Sequence, residues 1–243
     1  GKKPGLGAPG KTNLVKNTFI NREATKKVAK ALGDLNKQVV YVGGALVSLY
    51  TDDPAEEDIR PTKDIDLTFQ VASYAKLEAL REALIDRGFT QSAKDNVNCR
   101  FRFEDLKVDV MATEAVGWAP SNPWFKKGFD KAIPILLDEI IIHVLPLPYF
   151  LATKLAAFFD RGIGDVFASH DLEDIVYLFN FTTTIIDQLL ESDTDVKTYI
   201  QECLNTLLQD KRIIIAMEGC LYYEQAAERL EIIQDRMQSI IAG

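Results

Sequence analysis

Asp64-Ile65-Asp66-Leu67-Thr68-Phe69-Gln70-Val71 alternates polar and apolar side chains without a break. Asp64, Asp66, Thr68 and Gln70 face one way, and Ile65, Leu67, Phe69 and Val71 face the other. A period of two is the period of a strand, so this stretch predicts a half-buried strand with one polar face. Its two carboxylates, at i and i+2, point to the same side. Downstream, Cys99–Phe103 and Lys107–Met111 alternate in the same way around Glu104-Asp105, which predicts a hairpin carrying Asp109. Upstream, Gln38–Val42 reads as a short apolar strand broken by Gly43-Gly44, with a short helix from Ala45 to Tyr50. Between them Thr51–Thr62 is polar, acidic and punctuated by Pro54 and Pro61, the signature of a loop.

Further out, the patterns predict a helix from about Asn21 to Asn36 and another from Tyr74 to Arg87, stopped by Gly88. A long loop spans Thr113 to Lys127, and a second strand pair, Ile133–Leu136 with Ile140–Val144, turns at Asp138-Glu139. After Pro146 and Pro148 the pattern is helical almost to the end, punctuated at Gly162, Gly164, Asn180 and Gly219. The expected division is a flexible glycine- and lysine-rich leader (1–16), an α/β domain (17–147) and a C-terminal helical domain (148–243). The absent initiator Met fits a trimmed or tagged start. The fold class is α/β (α+β): a mixed sheet with flanking helices, followed by a helical bundle domain.

The 243 residues are 47% hydrophobic and 26% charged, the balance of an ordinary globular chain. With 28 Lys plus Arg against 36 Asp plus Glu the net charge is −8, which excludes coating nucleic acid through bulk positive charge but leaves room for a local basic patch. Cys99, Cys203 and Cys220 form no CxxC, which excludes a disulfide framework or zinc ribbon and fits a reducing cytosol. The longest apolar runs, such as Ile133–Leu137, are too short to span a bilayer, and nothing near the start resembles a signal peptide. The expectation is a soluble cytoplasmic protein with no membrane partner.

Three features carry candidate chemistry. Asp64, Asp66 and Asp109 could form a compact carboxylate triad on neighbouring strands. Negative charges that close repel, so such a site normally holds divalent cations, and hard oxygen ligands suit Mg²⁺ or Mn²⁺. A solvated acidic face is the alternative, of equal weight for the Asp64/Asp66 pair alone. Gly43 and Gly44 at a strand–helix junction could cradle a phosphate, with Ser48 adding a hydroxyl, although a tight turn needs glycine equally. Lys154 falls on the apolar stripe of Leu151, Leu155 and Phe158. It either snorkels at the stripe's edge or reaches a phosphate or a carboxylate, with Asp171 and Asp174 as candidate partners. Asp171 also has a plain role in the first turn of a helix capped by Ser169. His143 reads as a structural strand residue, and His170, beside Asp171, as either a catalytic residue or a solvated one. Arg100 and Arg102 share a polar hairpin face and either steer a nucleic-acid backbone or are surface charge. Trp118 and Trp124 either stack a base or anchor their loop.

The order of Gly-Gly, Asp-x-Asp and a later third Asp resembles the DNA polymerase β-type nucleotidyltransferases. More closely, Arg60-Pro61-Thr62-Lys63-Asp64-Ile65-Asp66-Leu67, Val108-Asp109-Val110-Met111, Tyr149-Phe150-Leu151-Ala152-Thr153-Lys154-Leu155-Ala156-Ala157-Phe158, and Arg161-Gly162 followed by Ser169-His170-Asp171-Leu172-Glu173-Asp174-Ile175 resemble the AbiEii-type nucleotidyltransferases. That family includes toxins of abortive-infection and type IV toxin–antitoxin systems. The resemblance covers roughly residues 38–180, and Ala45 stands where family members often carry Ser after Gly-Gly. It implies a polymerase β-type sheet and transfer of a nucleotidyl group from an NTP to a hydroxyl. Asp64, Asp66 and Asp109 would hold Mg²⁺ or Mn²⁺, and Gly43, Gly44, Ser48, Lys63 and Lys154 would bind the nucleotide. Lys154, Asp171 and Asp174 would belong to the catalytic site. The implied partners are an RNA acceptor, a tRNA 3′ end first, and a cognate antitoxin. A protein or small-molecule acceptor, as in aminoglycoside-modifying relatives, is the alternative, and a catalytically silent binding partner the second.

Overall fold

A computed structural model describes residues 16–62 and 64–243. The leader, apart from Lys16, and Lys63 therefore lie outside the described residues. Strand β1 (Val39–Val42) pairs antiparallel with β2 (Asp64–Phe69), which pairs parallel with β4 (Leu106–Ala112). On the far side of β4 lies its hairpin partner β3 (Arg100–Phe103). The hairpin of β5 (Ile133–Leu137) and β6 (Ile140–Val144) joins the other edge through a parallel β6–β1 contact, giving the order β3-β4-β2-β1-β6-β5. The mixed sheet and the C-terminal helices match the expected class.

The alternation of β2 is kept: Ile65, Leu67 and Phe69 are buried. Its polar face is only partly open, because Thr68 is fully buried, while Asp64 and Asp66 remain partly accessible. Both hairpins turn on acidic residues with positive φ, Glu104 (φ 53°) and Asp138 (φ 54°), of which Asp is the type that tolerates that conformation.

Helix α1 (Asn17–Leu32) starts earlier than its local sequence suggests. The carboxylate of Asp58 accepts from the backbone N–H of Asn17 (2.8 Å) and of Thr18 (3.0 Å), so the cap comes from a loop forty residues away. It ends at Gly33, where φ is +56°, and a short 3₁₀ segment (Gly33–Gln38) leads into β1. Helix α2 (Tyr74–Asp86) is capped by Ser73 and followed by Gly88 at φ +87°. The loop after β4 contains a short helix, α3 (Phe125–Phe129).

From Leu147 onward the chain is helical: α4 (Leu147–Ala157), α5 (His170–Phe181), α6 (Ile185–Leu190), α7 (Thr194–Gln209), α8 (Lys211–Gly219) and α9 (Ala226–Ala242). Helix α4 is buried on every side from Leu147 to Leu155 and packs against α3, α5, α6 and α7. It passes directly into a π turn, Phe158–Gly162, a local widening often found at functional positions. One hydrophobic cluster runs from α1 through the sheet to α9. No helix among the described residues is long and apolar enough to cross a membrane.

Candidate active site

Strand register sets the first wall of the site. Val42, Asp66, Asp109 and Arg100 are successive partners across β1, β2, β4 and β3, so they form one row over four strands. Neighbouring strands are ~4.8 Å apart, which places the Asp66 and Asp109 carboxylates side by side on the same face. At Gly43 the chain leaves β1 with φ +84°, and a Cβ there would lie 1.8 Å from Asp66 Oδ2. The glycine is therefore required twice, by its conformation and by the carboxylate against it. A Cβ on Gly44 would stand 2.4 Å from the Arg60 guanidinium and 3.2 Å from Asp174 Oδ2.

The second wall comes from α4, the π turn and α5. Lys154 is 6% exposed, with its Nζ 2.7 Å from Asp174 Oδ2 and 3.6 Å from Asp171 Oδ1. Asp171 also accepts both branches of Arg161 (2.8 and 3.2 Å), and Asp174 those of Arg60 (3.2 and 3.2 Å). The order Arg161–Asp171–Lys154–Asp174–Arg60 alternates charge, with three cations on two carboxylates. Glu173 lies 3.6 Å from the Arg60 end. Lys154 thus does not snorkel; its ammonium is buried and paired, which is what a charge on an apolar stripe demands.

Between the walls lies a cleft of about 660 Å³, lined by Gly43, Asp66, Arg100, Asp109, Lys154 and Arg161 among others. Its size suits a nucleotide-scale ligand. Burial and the neighbouring charge of Asp109 push the Asp66 carboxyl up to about 7, while Lys154 and Arg161 pull the other way. Among the described residues no hydrogen-bond donor or ion-pair partner reaches that carboxylate. The cleft also meets Cys99, whose thiol burial pushes up to about 11, so it stays protonated at neutral pH. A cavity of about 700 Å³ elsewhere, lined by Val39, Phe69, Leu80 and His143 among others, carries no carboxylate.

Of the residues expected at the site, Gly43, Asp66, Asp109, Lys154 and Asp171 line the cleft, with Gly44 and Asp174 directly behind. Ser48, on the 3₁₀ segment Gly44–Leu49, is not among the lining residues. Lys63 lies outside the described residues. Asp64 stands at the margin, its side chain 40% exposed, with Arg100 at 3.5 Å and Lys107 at 3.9 Å. The compact triad expected of Asp64, Asp66 and Asp109 is not formed. Among the described residues no three His, Cys, Asp or Glu side chains stand close enough to hold an ion. Arg100 instead forks onto Asp109 with two 2.7 Å contacts. In kind the donors still suit a hard divalent cation, since all are carboxylate oxygens and Asp66 is unneutralised.

Arg100 is thus neither surface charge nor free to steer a nucleic acid, and Arg102 is likewise forked onto Asp95 (2.8 and 2.6 Å). The two tryptophans anchor their loop: Trp124 is 8% exposed and packs on Tyr149 and Tyr199, and Trp118 donates to Glu78. Nothing in the local sequence assigns Arg60 or Arg161 a partner. Arg60, in Arg60-Pro61, gave no periodic signal, and Arg161 lies beyond the apolar stripe of α4, so only the fold reveals that each shares a carboxylate with Lys154.

A mixed sheet bearing an aspartate row is thus faced, across one cleft, by a helix-borne lysine. A candidate nucleotidyltransferase from H. pylori has a solved structure that shares this fold, at a TM-score of 0.50 and 13% identity, covering 94% of this chain and 96% of that one. An antigenic nucleotidyltransferase-like protein from Paracoccidioides brasiliensis matches at a TM-score of 0.43 and 14% identity, over 84% of this chain and 92% of that one. A search of curated proteins finds no match. The family model described as nucleotidyl transferase AbiEii toxin, type IV toxin–antitoxin system, matches residues 30–241. The chain belongs to the AbiEii nucleotidyltransferase toxin family.

Proposed function

We propose that the chain transfers a nucleotidyl group from an NTP to a hydroxyl of RNA, a tRNA 3′ end first, with release of pyrophosphate. The observation that carries this is the cleft itself, with Asp66 and Asp109 on one wall and Lys154 and Arg161 on the other. A bound triphosphate would lie between them. Lys154 and Arg161 would neutralise its charge, and Gly43, whose missing side chain lets backbone approach closely, would border it. Asp171 and Asp174 hold the lysine and arginine in place and belong to the same machinery. Asp64, Asp66 and Asp109 would hold Mg²⁺ or Mn²⁺, which supplies Lewis-acid activation of the phosphoryl group and the acceptor oxygen. Asp109 would bind the metal nearest the acceptor and help take the acceptor's proton. Residues 17–147 would form the nucleotidyltransferase part and 148–243 its helical cover, with the cleft at their seam. A cognate antitoxin is the expected protein partner, given the type IV toxin–antitoxin family.

A small-molecule or protein acceptor is favoured by one observation, the net charge of −8, which opposes polyanion binding. The test is incubation with each α-labelled NTP, Mg²⁺ and total cellular RNA. Label at tRNA 3′ ends is expected. Label on protein or small molecules alone would replace RNA as the acceptor, and no transfer to anything would refute the enzyme reading.

A further inference from the structure

Arg100 is placed where a structural arginine has little reason to be. It is the cross-strand partner of Asp109 and forks onto both its oxygens, while its second branch also lies 3.5 Å from Asp64 Oδ2. One guanidinium therefore bridges two of the three carboxylates that the row and its margin supply, and leaves Asp66 alone. The hairpin does not need this pair for its geometry: Arg102, two residues on, makes its own fork with Asp95 on the same strand face. Arg100 also lines the cleft, so its side chain has open volume to move into without unpacking the sheet.

Charge accounts for the arrangement. Adjacent carboxylates repel, and a fork from arginine relieves Asp109 when nothing else does. Arg100 and a divalent ion shared by Asp66 and Asp109 compete for the charge of one carboxylate, so the ion is held more tightly once the fork opens. We propose that Arg100 is a resident counter-ion of the carboxylate row, exchanged for the divalent cation and so setting how tightly that cation is held. Once displaced, its guanidinium stays in the cleft beside the space assigned to the triphosphate, a fitting partner for a phosphate oxygen. This inference rests on the reading of the cleft as a metal-dependent nucleotidyltransferase site.

The test measures Mn²⁺ binding to the full chain by the electron paramagnetic resonance signal of the free ion. Wild type, Arg100→Gln, Arg100→Lys and Asp66→Asn are compared, each first melted in EDTA to confirm folding. If the closed fork leaves about a tenth of the molecules competent, opening it tightens binding about tenfold. Arg100→Gln is therefore expected to bind about tenfold more tightly, Arg100→Lys in between, and Asp66→Asn to lose the site. Unchanged or weaker binding by Arg100→Gln, with wild-type binding still abolished by Asp66→Asn, would overturn the exchange and leave the metal site standing. No Mn²⁺ bound by wild type would overturn both. A second readout needs no folded Gln variant: the Nε–H resonance of Arg100, assigned through Arg100→Lys, should shift when wild type is saturated with Mg²⁺. A resonance that stays put would also overturn the exchange.

Discussion

Two side chains concentrate the residue-scale chemistry. Asp66 is raised from an ordinary 3.8 to about 7 by burial and by Asp109. A carboxyl whose folded pKa lies above its unfolded one contributes stability in full below about pH 4, and that contribution is lost as pH rises through about 7. The loss amounts to at most ~4 kcal/mol at ~1.4 kcal/mol per pKa unit. Without metal, wild type should therefore lose melting temperature relative to Asp66→Asn between pH 4 and 7, read from paired melts across that range. Curves that run parallel would disprove the raised value. Cations compete with this proton, so the gain in melting temperature from Mg²⁺ with NTP should be larger at pH 8 than at pH 6 and absent in Asp66→Asn. Lys154 makes a separate prediction. Losing one partner of a buried pair normally costs ~3–5 kcal/mol. Here Asp174 keeps Arg60 and Asp171 keeps Arg161, so Lys154→Met should cost less than that range. Its turnover should still fall by ~10²–10³-fold, the scale of losing one preorganised charge. A variant that melts as wild type and transfers at the parental rate would return Lys154 to a packing role.

At the scale of elements, the site depends on how the chain leaves β1. Gly43 combines a positive φ with contact to the Asp66 carboxylate, so Gly43→Ala must move either β1 or Asp66. Transfer activity should drop by at least ~10-fold and the melting temperature should fall, with strand content by circular dichroism retained. Gly33→Ala is the matched control: its φ is also positive, but a Cβ there meets nothing within 4 Å. It should destabilise by ~1–3 kcal/mol through backbone strain alone and leave transfer intact. Equal losses of activity in the two variants would show that backbone strain, not the contact with Asp66, is what matters at Gly43.

The whole molecule is joined through α4. This helix is buried on all sides and carries Lys154 into the cleft, while a single hydrophobic cluster continues from the sheet into the last helix. The proposed seam at 147/148 therefore marks a change of secondary structure rather than a break in the core. The full chain should unfold in one calorimetric transition, and a chain ending at residue 147 should not remain folded, because it exposes the surface that α4 covers. Two well-separated transitions would show that the two parts fold independently.

Short-range periodicity is legible without any tertiary information. The alternation of Asp64–Val71 and Lys107–Met111 specified two strands with their aspartates in phase, and the stripe of Leu151, Leu155 and Phe158 specified a buried helix with a lysine on it. Motif order supplied the family, which the match over residues 30–241 then established. Partnership across the fold was left to the tertiary structure. The cap that Asp58 gives α1 spans forty residues, the fork of Arg100 onto Asp109 closes the carboxylate row, and Arg60 and Arg161 share the carboxylates of Lys154. The physical reason is the same in each case. Periodicity fixes the face on which a side chain lies, whereas ion pairs form between faces that only strand register and helix packing bring together.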